Sequence, residues 1–260
     1  MSFDKSGPPP SPSPRSEAGP TTTPPPPAPH SAPAPPPQAA GVLCSPEGLA
    51  TALTVVLAVG ATTDLVSSGV HLYIRGLMKD LLDAPAGVQD DSIALADLLN
   101  GATGVAQTAL RLATIVVFII WFHRVRCNGQ VFRPDGFSQS AGWAIGGWFV
   151  PFANLFFPYR TARETWEAST QRAPDGSYRH VSSAPVTAWW TVFVAAMVLD
   201  RVFSRRYVAA NTAEAMHSVS ALGAVTDVIT IVAAVLAVVF VRKLTALQRV
   251  KAAQGPIAAS

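Results

Sequence analysis

The chain has 260 residues, 49% hydrophobic and only 13% charged, with a formal net charge of +3. That is too apolar and too poor in charge for an ordinary soluble domain, and it points to an integral membrane protein. No basic stripe is interleaved with aromatic residues as single-strand binding requires, so nucleic acid is not an expected partner.

Residues 1–47 read as a disordered proline-rich tail. Fifteen of the chain's 23 prolines fall within the first 40 residues, with almost no large apolar side chains to offset the entropy of ordering. The run TTTPPPPAPHSAPAPPP contains PxxP matches, the pattern that docks on aromatic grooves, so this tail is the segment expected to reach another protein. Two cysteines, Cys44 and Cys127, are too few for a disulfide framework. The arginine bias, with Lys5, Lys79, Lys243 and Lys251 the only lysines, suggests a bacterial source.

Residues 48–252 form the membrane domain, and 253–260 a short C-terminal tail. The domain contains five apolar blocks, roughly 49–68, 104–122, 141–158, 186–203 and 220–241, each near the ~20 residues a helix needs to cross the bilayer. Helices are the expected spanning form, because the alternation of a barrel strand is absent. Tryptophans 121, 143, 148, 189 and 190 gather towards block ends, which suggests an interfacial belt. Between the first two blocks the carboxylates Asp80, Asp83, Asp90, Asp91 and Asp97 suggest a solvated acidic loop, with IALADLL as a short surface helix. Neither metal nor cofactor is expected, since this stretch lacks calcium-loop spacing and the five histidines are scattered.

The third block, GWAIGGWFVPFANLFFP, carries Pro151 and Asn154 at its middle and closes on Pro158. Proline removes a backbone donor and biases the preceding residue away from the helix, so this block is expected to break and turn back. A re-entrant third block places eleven Lys/Arg on one side and five on the other; five true spans give ten and six. The fold class is therefore an all-α integral membrane protein with four transmembrane helices and one broken, re-entrant segment, five transmembrane helices being the alternative. Both termini are then cytoplasmic in the cell membrane by the positive-inside rule.

Four charges lie inside the blocks, Asp64, Arg111, Asp200 and Asp227, and with four spans all share the outer third. Buried charges seek partners, so Asp64 and Arg111 on consecutive helices are expected to pair. GATTDLV (60–66) and GAVTDVI (223–229) share a GAxTD pattern, too short to establish a repeat.

The segment 121–169 resembles a family of bacterial membrane proteins known as domain of unknown function 4328. Trp121, Arg124 and Asn128 match its W-x-x-R-x-x-x-N pattern. Gly142, Trp143, Gly147, Trp148, Pro151, Asn154, Pro158, Trp166 and Ser169 match its core motif. The likeness runs through most of 48–250. It implies a multi-pass membrane fold and carries over no activity.

On a helix Trp121, Arg124 and Asn128 share one face. If the third block re-enters beside them, Arg124, Asn128 and Asn154 form a polar pocket suited to an anionic solute or head group. RTARETWEAS reads as a juxtamembrane helix with i, i+4 pairs Arg160–Glu164 and Arg163–Glu167, anchored to the interface by Trp166. No catalytic motif is present, and an enzyme is not expected. The first functional reading is a non-catalytic membrane interaction or scaffold module. The alternative is a small transporter or channel lined by the intramembrane charges, in a homo-oligomer because four helices enclose little space.

Overall fold

The computed structural model describes residue 7, residues 42–171, residue 179 and residues 181–254. The expected disorder of the proline-rich tail lies outside the described residues, and so does most of the C-terminal tail. All described helices belong to a single unit within residues 40–260, and no strand occurs among the described residues.

The order is α1 (Glu47–Asp83), α2 (Asp90–Phe132), α3 (Trp143–Gly146), α4 (Phe157–Ala168), α5 (Ala184–Ala209) and α6 (Ala213–Ala253). Helices α1, α2, α5 and α6 are long and apolar enough to cross a membrane. The 43 residues of α2 extend about 65 Å, twice the ~30 Å of hydrocarbon. Hydropathy marks only the most apolar stretch of each helix, and each helix runs on past it. The acidic loop and the separate surface helix expected between the first two blocks are therefore corrected. Asp80 and Asp83 close α1, Asp90 and Asp91 open α2, and IALADLL is the first part of α2. Carboxylates in a first turn suit the positive end of the helix dipole. Only residues 84–89 connect α1 to α2.

The long helices run antiparallel in sequence. Glu47 on α1 meets Arg249 on α6 at 3.7 Å, while twenty-eight residues further along α1, Arg75 Nη1 donates to the His217 carbonyl at 3.1 Å. The start of α1 and the end of α6 thus share one end, called here the terminal end. The 84–89 and 210–212 connections occupy the other, the turn end. At that end Thr212 caps α6 by accepting a hydrogen bond from Ala215 N–H at 3.2 Å.

The third apolar block is not a long helix. Four residues of α3 give way to turns through Pro151 and Phe152, and Phe152 holds φ at 63°, outside the right-handed region that L-residues favour. The chain then folds back, so that the Trp143 and Phe157 rings meet at 4.8 Å. Gly147 permits this close return: a Cβ there would lie 2.7 Å from the Trp143 carbonyl oxygen and 3.2 Å from the Phe157 Cβ. Pro158 sits in the first turn of α4, where its missing N–H costs nothing.

Candidate functional site

The terminal-end half of the bundle is filled by aromatic side chains. Phe240 of α6 stacks on Trp189 of α5 at 4.7 Å and 10°, and Trp121 of α2 meets it edge-on at 5.6 Å. Trp148, from the folded-back segment, contacts Phe118, Phe122 and Trp190. Trp121, Trp166, Trp189 and Trp190 are all buried. They form a core, which corrects the interfacial belt for Trp121, Trp189 and Trp190 and the reading of Trp166 as a surface anchor; Trp143 is exposed and Trp148 half-buried. A tryptophan near a block end satisfies either role, and the fold-back of 143–157 supplies the neighbours that cover these rings.

Below this core lies a polar hub. The side-chain oxygen of Asn128 accepts from Cys44 N–H at 3.0 Å, and its Nδ2 donates to the Cys44 carbonyl at 2.8 Å and to Gln248 Oε1 at 3.1 Å. Gln248 Nε2 donates to the Val125 carbonyl at 2.8 Å and to Ser169 Oγ at 3.2 Å. Two buried amides thus tie α2, α4 and α6 to the segment leading into α1. Arg124 Nη1 donates to the Ser45 carbonyl at 3.1 Å. Among the described residues no hydrogen bond joins Asn154 to Arg124 or Asn128; its backbone N–H donates to Val150 O in the turn. The three-residue pocket is corrected to a two-residue clamp, since Arg124 and Asn128 spend their donors on Ser45, Cys44 and Gln248 while Asn154 N–H is used within its own turn.

Nearby, Arg126 is buried, with its guanidinium 3.5 Å from the Phe137 ring centroid and Nη2 donating to Gln139 O at 2.7 Å. On α4, Arg160 pairs with Glu164 at 3.1 Å and Arg163 with Glu167 at 3.2 Å. The hydrogen bond to Glu167 raises the Arg163 pKa, which keeps it cationic.

A second polar cluster lies towards the turn end. Gln107 Nε2 of α2 donates to Asp64 Oδ1 of α1 at 2.8 Å and to Asp227 Oδ1 of α6 at 3.1 Å. Asp227 Oδ2 lies 2.9 Å from His71 Nδ1. Asp64, His71 and Asp227 are 6%, 6% and 4% exposed. Gly223 makes room for the imidazole: a Cβ there would meet His71 Cε1 and Phe203 Cε2, both at 2.8 Å. The Phe203 ring stands edge-on to His71 at 5.2 Å.

Arg111 does not bridge to Asp64. Its Nη1 donates to Asp200 Oδ1 of α5 at 2.8 Å, which corrects the expected Asp64–Arg111 pair. Gln107 and Arg111 are one turn apart on α2; the shorter amide takes the inward place beside Asp64, and the longer arginine reaches α5. In a double-mutant cycle followed by thermal denaturation, the coupling between Arg111→Ala and Asp200→Ala should exceed that between Arg111→Ala and Asp64→Ala. A larger Asp64–Arg111 coupling would contradict this arrangement.

The family described as Domain of unknown function (DUF4328) has a model that matches residues 84–246, more than half of the chain. The chain belongs to the DUF4328 family. Neither the curated proteins nor the solved structures gave a match. The DUF4328 match covers Asn128, Gln107 and Asp227 but not α1, so Asp64 and His71 lie outside it.

Sequence reasoning missed His71, Gln107 and Gln248. A signal for the first was present: Asp64, Ser67, Ser68 and His71 lie at i, i+3, i+4 and i+7 and are all buried, a polar stripe on an otherwise apolar helix. Nothing local marks Gln107 or Gln248, since an uncharged amide in a long helix is unremarkable until its partners are known. Among the described residues no group of His, Cys, Asp and Glu is arranged to hold a metal.

Proposed function

We propose that this DUF4328 protein is a non-catalytic contact module of the cell membrane. The observation that carries the reading is where the shared motif goes: Trp121, Asn128, Gly147, Trp148, Trp166 and Ser169 are committed to packing and hydrogen bonds with one another and with α6. A motif spent on holding the fold leaves the outer surfaces to act.

In this reading α1, α2, α5 and α6 span the bilayer, and the 143–157 fold-back enters from the cytoplasmic side. Exposed Phe149, Phe152 and Phe156 support that placement, since their rings find acyl chains rather than water. The excess of Lys/Arg at the terminal end supports cytoplasmic termini. The partners are the bilayer itself and a second protein engaged by the proline-rich tail, with self-association through the lipid-facing flanks of the long helices.

Crosslinking in intact cells should capture a partner protein with the full chain and lose it when residues 1–40 are deleted, while both forms melt at the same temperature. Solute uptake into proteoliposomes that disappears in Asp227→Asn would overturn the reading in favour of a transporter.

A further inference from the structure

We propose that Asp64, Gln107, Asp227 and His71 form a proton-binding site, in which Asp64 carries a bound proton at neutral pH while Asp227 stays paired with the His71 imidazole.

One amide nitrogen donates to both carboxylates, at 2.8 and 3.1 Å, so the two accepting oxygens are within about 6 Å of each other. Two carboxylates so close, both almost wholly enclosed by protein, do not both stay ionised without compensating charge. The groups facing them are few. On α1 they are His71 and Arg75, the latter turned to the His217 carbonyl. On α2 the cation is Arg111 and on α5 the anion is Asp200, and these two neutralise each other at 2.8 Å. On α6 they are Asp227 itself and His217.

Among the described residues the one group in contact with the carboxylates that can carry a positive charge is the His71 imidazole, 2.9 Å from Asp227. Whatever its state, it balances at most one of the two negative charges. Asp64 has, among the described residues, the neutral Gln107 amide alone as hydrogen-bond partner, so the uncompensated charge is removed by a proton on its carboxyl. The step forms one O–H bond on Asp64 with a proton delivered by hydronium, which departs as water; it moves no electrons and lowers the cluster's net negative charge by one.

Further towards the turn end lies a cavity of about 320 Å³, lined by Ile74, Asp97, Asn100, Tyr207 and Met216 among others and by none of the four site residues. Ile74 is one turn past His71 on α1, and Tyr207 is one turn past Phe203 on α5. Asn100 and Tyr207 bond across its wall at 2.8 Å.

This inference is independent of the contact-module reading, since a proton can bind whether or not a partner does. The test is the infrared spectrum of the full-length protein in lipid nanodiscs near pH 7, ~3 units above the ordinary carboxylate pKa of about 4. The expected result is a protonated-carboxyl C=O band that shifts in D₂O, is lost in Asp64→Asn and is kept in Asp200→Asn. In Gln107→Leu the band should move in frequency, because the amide bonded to Asp64 is gone; this variant decides the matter should Asp64→Asn fail to fold. Absence of the band in the wild-type protein overturns the proposal, and so does a band indifferent to both Asp64→Asn and Gln107→Leu. A band that vanishes when sodium replaces potassium also overturns it, in favour of a metal-cation site.

Discussion

Trp121→Ala should destabilise the folded protein by about 3–5 kcal/mol, the range for removing a large aromatic side chain from a filled core. The indole is fully enclosed. It meets Phe240 edge-on at 5.6 Å and Phe118 at 5.6 Å, and its N–H donates to Thr245 Oγ1 at 3.3 Å. The hole cannot be closed cheaply, because Phe240 is held on its other faces by Trp189 and Trp166. Lipid does not fill it either, since the site is sealed by protein on all sides. Trp121→Phe keeps a ring and loses the N–H, so it should recover most of the stability. Thermal denaturation in one detergent orders the three proteins. A Trp121→Ala midpoint within error of wild type would show that the aromatic cluster does not hold the bundle together.

How far the sequence led depended on the kind of information each feature carries. The four long helices were legible because apolar length is a local property, and their ends were not, because amphipathic extensions such as residues 90–103 of α2 lie beyond any hydropathy window. The break in the third block was legible at Pro151, where a missing donor acts on its immediate neighbours. The turn back was legible with it; the packing that follows was not, since the place of Trp148 among Phe118, Phe122 and Trp190 depends on Gly147 and Phe157 meeting across the turn. Intramembrane charges were visible as residues costly to leave alone. Their pairing was decided by which helix faces which: α1 packs closely against α6, so Asp64 and Asp227 converge through Gln107 and leave Arg111 to α5.

The two halves of the bundle are held by different chemistry. At the terminal end, ring packing and a pair of amides fix α2, α4, α5 and α6. Nearer the turn end, α1 and α6 approach closely through small residues, with Gly223 against His71 and Phe203. Close approach of small residues is how helices gain contact in a bilayer, where no hydrophobic difference drives them together.

Asn128 is the second position where a single change should be severe. Asn128→Ala leaves Gln248 Oε1 enclosed without its donor and releases both backbone groups of Cys44. A buried polar group left unpaired costs about 1–3 kcal/mol, and Cys44 is exposed enough for water to replace its share, so a total of about 2–4 kcal/mol is expected. Asn128→Asp should be worse than alanine although it is nearly isosteric. It sets a carboxylate oxygen where the donating nitrogen stood, against the Cys44 carbonyl and Gln248 Oε1. Turning the Gln248 amide over would give that oxygen a donor, but it would bring Gln248 Oε1 against the Val125 carbonyl, now 2.8 Å from the Gln248 nitrogen. The conflict moves and does not disappear. Because the two amides share one network, Asn128→Ala and Gln248→Ala should together cost less than their separate sum, with a coupling of about 0.5–3 kcal/mol. Thermal denaturation of the two alanine variants, their double and Asn128→Asp measures all of this. Strict additivity, or an aspartate milder than alanine, would mean that the hub does not join α2 to α6 and that the terminal end is held by its aromatic core alone.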